Sequence, residues 1–67
     1  MPIVEITLVS GRTPEELRAM ISAVTKAVSE TVAAPVAAVR VIVREVPKTH
    51  FAAGDVTIAE RQAVHAT

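Results

Sequence analysis

Residues 13–32 read TPEELRAMISAVTKAVSETV and open with an unusually complete helix start. Thr13 can cap the helix, Pro14 suits the first helical position because its missing N–H is no loss there, and Glu16 completes a capping box. Apolar residues then recur at steps of three and four, at Leu17, Ile21, Val24, Val28 and Val32. This pattern predicts one amphipathic helix, and Pro35 should end it because the proline ring disfavours helical backbone in the residue before it.

A β-strand is predicted on each side of this helix, at residues 2–9 and 39–46. The alternation places Val4, Ile6 and Leu8 opposite Ile3, Glu5, Thr7 and Val9 in the first strand, and Val39, Val41 and Val43 opposite Arg40, Ile42, Arg44 and Val46 in the second. Strand, helix and strand within so short a chain are typical of a βαβ unit with parallel strands. The face of the second strand that carries Arg40 also carries the apolar Ile42 and Val46. We therefore expect this face to pack on another subunit, with Arg40 in that interface.

The remainder of the chain has weaker signals. Pro47 interrupts strand pairing, and Gly54-Asp55 is a turn signal that predicts a short hairpin or a strand added to a neighbouring subunit. Residues 59–67 read as a helical turn or a frayed end. The predicted fold is therefore α/β (α+β), a single domain over residues 1–67, with one βαβ unit, a short C-terminal hairpin and assembly into an oligomer.

Composition supports the oligomer. The chain has 67 residues, of which 51% are hydrophobic, yet Phe51 is its one aromatic residue. A chain of this length buries only about 60% of the surface that its unfolded form exposes, so its core needs a supplement. There is no cysteine for a disulfide, and His50 and His65 are far apart in the sequence with no other soft metal ligand nearby. Self-association is the remaining supplement.

The charges exclude several classes of partner. Seven basic and seven acidic residues balance, with a pI near 6.7, and no block of like charge suggests a nucleic-acid or membrane surface. No apolar run approaches the roughly 20 residues of a membrane span, and the apolar start lacks the basic leader of a secretory signal. We expect a cytoplasmic protein.

The amino terminus carries the first candidate for chemistry. Met1 precedes a small residue and is expected to be removed, which leaves Pro2 with a free secondary amine that can act as a base or a nucleophile.

Four residues in all are candidates for a functional site, and each of them, taken singly, also has a purely structural interpretation. Pro2 suits the first position of a strand, Arg12 suits a solvated turn, Arg40 suits a half-exposed strand and Phe51 suits the edge of a small core.

Taken together, four short segments point to a known family. They are Pro2, Gly11-Arg12, Val39-Arg40-Val41-Ile42 and His50-Phe51. At these spacings the chain resembles the 4-oxalocrotonate tautomerase family, the small members of the tautomerase superfamily, from Pro2 to about Gly54. The chain departs from that family at Ala38, where serine is frequent, at Thr49, where glycine is common, and at Gly54-Asp55, where a Gly-Gly pair is common.

The resemblance implies a role for each of these residues. Pro2 would be the general base, Arg40 would hold the carboxylate and 2-oxygen end of the substrate, Arg12 would hold a distal carboxylate, and Phe51 would form an apolar wall. The implied substrate is an unsaturated 2-oxo or 2-hydroxy acid, as in aromatic hydrocarbon catabolism. The resemblance also implies a homohexamer built as a trimer of dimers, residues of different subunits in one site, and no cofactor or metal.

The base role requires a neutral amine at pH 7. An ordinary terminal amine has a pKa near 8, and a secondary amine is intrinsically more basic. Desolvation in an apolar pocket and repulsion from the cationic Arg12 and Arg40 would both lower the pKa of the proline amine.

Two other functions remain open at this point. In one, a protonated Pro2 polarises an unsaturated acid for hydration or dehalogenation, which needs a group to activate water. Glu5 and Glu45 are the nearest carboxylates, although both read as solvated strand residues. In the other, the chain is a non-catalytic oligomer that binds carboxylic acids. His50 reads as a structural or solvent-exposed histidine rather than a catalytic one.

Overall fold

The computed structural model describes residues 1–65 and confirms the predicted fold class. The strands are β1 (Ile3–Val9), β2 (Arg40–Val46), β3 (Ala52–Ala53) and β4 (Val56–Thr57), the helices are α1 (Pro14–Thr31) and α2 (Ile58–His65), and short 3₁₀ turns occupy Val36–Ala38 and Lys48–His50. β1 pairs with β2 in parallel, and β3 pairs with β4 antiparallel. The predicted helical turn at 59–67 is helical as far as His65, and positions 66–67 lie outside the described residues.

The predicted start of α1 is confirmed in detail. The Glu16 N–H donates to Thr13 Oγ1 at 3.1 Å, and the Thr13 N–H donates to Glu16 Oε1 at 2.9 Å. The pKa of Glu16 is held below its ordinary value, first by the hydrogen bond from the Thr13 backbone N–H and second by the bond with the Thr13 side chain. The ionised form of Glu16 therefore stabilises the helix start at neutral pH, and this contribution is lost as the pH falls through the lowered pKa.

The predicted end of α1 is wrong. The helix stops at Thr31, and Val32 is a cap residue that stays 60% exposed rather than continuing the apolar stripe. Ala33 then adopts a left-handed conformation with φ 55°, and the Ala34 N–H donates to the Ser29 carbonyl at 3.2 Å. This reversal satisfies the carbonyl groups of the last turn, so it ends the helix before Pro35 can act.

A hairpin follows the second strand, as one of the two alternatives for this segment predicted. Gly54 and Asp55 form its two-residue turn with φ 59° and 67°, the positive values that allow two paired strands to keep their twist. The sequence analysis missed a second capping box, in which Thr57 and Glu60 exchange hydrogen bonds of 2.9 and 3.1 Å at the start of α2. These bonds also hold the pKa of Glu60 below its ordinary value.

Helix α1 covers one face of the β1–β2 pair and leaves the other uncovered. The side chains under the helix are at most half-buried, and they are Val4, Ile6, Leu8, Val41 and Val43. Within the described residues Val39 is the one apolar side chain that is buried, with 9% exposed. The strand face under α1 is therefore incompletely buried in one copy of the chain, because a two-stranded sheet and one long helix cannot enclose a core.

We predict that Ala33→Gly will raise the free energy of unfolding by up to about 1 kcal/mol, because glycine adopts the left-handed conformation without the steric cost that alanine carries. The measurement is the urea midpoint and slope at a fixed protein concentration, which keeps any contribution from self-association constant.

The matched control is Ala19→Gly, the same change at an exposed position inside α1. It should lower stability by roughly 0.5–1 kcal/mol, because glycine is unfavourable in a helix interior. Equal effects of the two substitutions would contradict the left-handed helix end.

Candidate active site

The parallel register brings the backbones of Pro2 and Arg40 together at one end of the sheet. The Arg40 N–H donates to the Pro2 carbonyl at 2.9 Å, and Pro2 is half-buried. Ile3 is the direct neighbour of Arg40 across the strands, so these two side chains share the uncovered face. Pro2 precedes Ile3 by one residue and is therefore directed to the opposite face by the alternation of an extended chain.

The guanidinium group of Arg40 is held by its own chain. Its Nη1 donates to the Ala37 carbonyl at 2.8 Å, which folds the side chain back over the 3₁₀ turn that precedes β2. A guanidinium carries five N–H donors, so this bond leaves a fork free for a carboxylate or an oxyanion. Arg40 remains exposed in the single copy.

Arg12 lies at the opposite end of the sheet, after the end of β1. Its Nη1 donates to the Val9 carbonyl at 2.8 Å, and the preceding Gly11 has φ 131°, a conformation that suits glycine. The charge of Arg12 also contributes, after the bonds from Thr13, to the lowered pKa of Glu16. The seven residues of β1 span about 20 Å at the rise of a β-strand, so Arg12 is at least that far from Pro2 of the same chain.

Phe51 lies at the same end of the sheet as Arg12. The Ser10 N–H donates to the Val46 carbonyl at 2.9 Å and joins the two strand ends, and Phe51 follows after a short 3₁₀ turn. The ring is 36% exposed, and the Phe51 carbonyl accepts a hydrogen bond from the Ile58 N–H at 2.9 Å. The neighbouring His50 is exposed, with Nδ1 2.9 Å from Thr49 Oγ1.

One copy of the chain thus separates the four predicted residues into two pairs. Pro2 and Arg40 are at the amino ends of the parallel strands, and Arg12 and Phe51 are beyond the carboxyl ends. A site that contains both Pro2 and Arg12 therefore needs a second copy of the chain. Each arginine is held by a backbone carbonyl three residues before it, a contact that the sequence analysis missed because it depends on the turn conformation.

Other features of the chain do not compete with this arrangement. A groove of about 500 Å³ runs along α1, and none of the four predicted residues lines it; its lining residues are Arg18, Ile21, Ser22, Thr25, Lys26, Ser29, Glu30 and Val36. Among residues 1–63, whose side chains the structure describes, no three His, Cys, Asp or Glu side chains are grouped as metal ligands would be. No helix in that range is long and apolar enough to cross a bilayer.

Comparison with known proteins gives a consistent family. The sequence profile described as "Tautomerase enzyme" matches residues 2–61. A 2-hydroxymuconate tautomerase of Stutzerimonas stutzeri is 43% identical over 54 residues, which are 81% of this chain and 86% of that protein. The crystal structure of TomN, a 4-oxalocrotonate tautomerase homologue in the tomaymycin biosynthetic pathway, superposes with a TM-score of 0.90 at 45% identity and covers 92% of this chain and 95% of that chain.

A third relative bears on assembly. The heterohexamer 4-oxalocrotonate tautomerase of Chloroflexus aurantiacus J-10-fl has a TM-score of 0.87 and 35% identity to this chain, and the match covers 90% of this chain and 97% of that one. The family profile spans most of the chain, and these relatives share its fold along almost their whole length. The chain therefore belongs to the tautomerase family and is a tautomerase-type isomerase.

Proposed function

We propose that this tautomerase interconverts the enol and keto forms of an unsaturated 2-oxo acid, with the amino-terminal Pro2 as general base after removal of Met1. The nitrogen removes a proton from one position of the acid and returns it at another, so no cofactor is consumed. The observation that carries the proposal is the position of Arg40. Its backbone bonds to Pro2, and its guanidinium is anchored with donors to spare at the same end of the sheet.

The base role depends on the surroundings of the proline nitrogen. Pro2 is already half-buried in one copy of the chain, and contacts with other copies at this end of the sheet would remove more water from it. Desolvation and nearby arginines both disfavour a protonated amine, so they lower its pKa toward neutrality. A base whose pKa lies near the working pH transfers protons most effectively.

The two arginines bind opposite ends of the substrate. Arg40 holds the carboxylate and the 2-oxygen, where negative charge grows as the proton leaves, and Arg12 of another copy holds a second carboxylate. Bidentate charge-assisted bonds suit both tasks, and the carbonyl anchors at Ala37 and Val9 fix the guanidinium planes before substrate arrives. Phe51 lies at the Arg12 end and supplies an apolar wall that limits water in the site.

A site with arginines from two copies of the chain requires self-association, for which we propose a homohexamer arranged as a trimer of dimers. The relative from Chloroflexus aurantiacus is a heterohexamer, so six related chains can form a tautomerase of this fold. The same assembly would cover the apolar residues that one copy leaves exposed. We further propose that the enzyme acts in the cytoplasm on small acids of this class.

We predict that Pro2→Ala will lower kcat for ketonisation of a small dienol acid by about 10²-fold or more, the typical loss when a positioned base is removed. The measurement follows the decay of enol absorbance with processed protein, and intact mass confirms the loss of Met1 in parent and variant. Pro14→Ala is the matched control, since it alters a proline at the helix start and should retain the parent rate. An unchanged rate for Pro2→Ala would refute the base assignment.

We predict that Arg12→Ala will distinguish substrates by their number of carboxylates. Catalytic efficiency should fall about 10-fold or more for a dicarboxylate, because one charge-assisted contact is lost, and should change little for a monocarboxylate. Arg40→Ala should instead damage kcat and KM for both. Arg18→Ala, on the exposed side of α1, is the control. Equal losses on both substrates for Arg12→Ala would exclude the distal role.

We predict that mixing two impaired variants will restore activity. If each site takes Pro2 and Arg12 from different chains, joint refolding of equal amounts of Pro2→Ala and Arg12→Ala gives about a quarter of the sites with both native residues. Activity on a dicarboxylate should then exceed the mean of the separate variants several-fold. A mixture that shows only that mean would indicate that both residues come from one chain.

A further inference from the structure

The hydroxyl group of Ser29 makes a contact outside the helix that contains it. Ser29 lies in the last turn of α1, and its Oγ donates to the Ala34 carbonyl at 2.5 Å, five residues further along the chain. A hydroxyl inside a helix more often bonds to a carbonyl three or four residues earlier, as Thr31 does with the Ala27 carbonyl at 2.7 Å. The half-buried Ser29 side chain therefore serves the segment after α1 rather than α1 itself.

The end of α1 does not need this contact. The Val32 N–H donates to the Val28 carbonyl at 3.0 Å, and the Ala34 N–H donates to the Ser29 carbonyl at 3.2 Å, so backbone groups alone close the last turn. Alanine is also a better helix former than serine. Helix stability therefore gives no reason for a hydroxyl at position 29. What the hydroxyl adds is a second bond to Ala34, which is then held to the helix by both its N–H and its carbonyl.

Ala34 leads directly into the 3₁₀ turn that holds Arg40. The Ala38 N–H closes this turn by donating to the Pro35 carbonyl at 2.9 Å, and the proline ring fixes the backbone of Pro35 at φ −62°. Inside the turn, the Ala37 carbonyl accepts a hydrogen bond from Arg40 Nη1 at 2.8 Å. A shift of the turn relative to α1 would therefore move the guanidinium group.

The two ends of Arg40 are attached to different parts of the fold. Its backbone N–H donates to the Pro2 carbonyl in the sheet at 2.9 Å, whereas its guanidinium group is bonded to the turn. The position of the guanidinium group over the sheet thus depends on how firmly the turn is held to α1, the helix that packs on that sheet. Ser29 supplies the side-chain part of this attachment.

We propose that Ser29 is a positioning residue for Arg40, because its hydroxyl group fixes the turn whose Ala37 carbonyl orients the guanidinium group. The proposal rests on the proposed function for the role of Arg40 in holding the acid, and it adds a residue that acts without touching the substrate. A misplacement of about 1 Å in a group that orients a reactant can cost roughly 100-fold in rate. The backbone bond of Ala34 remains in a variant without the hydroxyl, so we expect a smaller loss.

The first arm of the experiment measures kcat and KM of Ser29→Ala for ketonisation of a small dienol acid. We expect kcat/KM to fall about 10-fold in the parent background. In an Arg40→Ala background, assayed at raised enzyme concentration, the same change should have an effect of less than about twofold, because no guanidinium group is left to orient. Thr31→Val is the matched control, since it removes a hydroxyl that bonds only within α1, and it should keep the parent rate. Circular dichroism and native mass spectrometry verify that each variant folds and assembles.

The second arm observes Arg40 directly, through the side-chain nitrogen signals of the arginines in NMR spectra. A guanidinium group that is bonded to a carbonyl rotates slowly about its C–N bonds. The Arg40 signals, assigned by their loss in Arg40→Ala, should therefore show several-fold faster rotation in Ser29→Ala. Arg12 is an internal reference, because it is anchored in the same way by the Val9 carbonyl at the other end of the sheet, and its signals should not change.

Two results would overturn the proposal. Unchanged rotation of the Arg40 guanidinium group in Ser29→Ala would show that the turn keeps its place without the hydroxyl. An equal loss of kcat/KM in the parent and Arg40→Ala backgrounds would show that Ser29 acts on the fold in general. The NMR arm needs no turnover, so it remains valid if Pro2 is not the base, an error that the Pro2→Ala rate would reveal separately.

Discussion

The parallel pairing of β1 with β2 is the constraint on which the rest of the structure depends. Parallel strands place both amino ends at one edge and both carboxyl ends at the other, and the crossover through α1 is what such pairing requires. Pro2 and Arg40 thereby meet, while Arg12 and Phe51 gather about 20 Å away. A hairpin of the same two strands would have mixed these ends and removed the need for a second copy.

The small size of the chain is the second constraint. A two-stranded sheet with one covering helix encloses almost nothing, and Val39 is the one buried apolar residue of the described part. The energy that a larger domain gains in its own core must come here from contacts between copies, which links folding to assembly. If the catalytic site is built from several copies, as we propose, it exists only in the folded and assembled state, so stability and activity have the same origin.

Backbone carbonyl groups prepare the polar side of the site. Arg12 and Arg40 each donate one N–H to the carbonyl of a residue three positions earlier. This contact already restricts the rotamers of each arginine, so less side-chain entropy is lost when the arginine binds a carboxylate. The rest of the guanidinium fork stays free. Under the proposed function, charge-assisted bonds from these two arginines supply most of the orientation of the acid.

The sequence by itself determined the features that depend on neighbouring residues. The capping box at Thr13 and Glu16, the alternation along both strands and the turn at Gly54-Asp55 are local, and each is present as predicted. The resemblance carried by Pro2, Arg12, Arg40 and Phe51 gave the family. The tertiary structure decided the end of α1, because a left-handed Ala33 is a backbone state that alanine does not signal. It also decided which candidates share an end of the sheet and which face stays open, because register and direction arise from pairing between strands that are distant in the sequence.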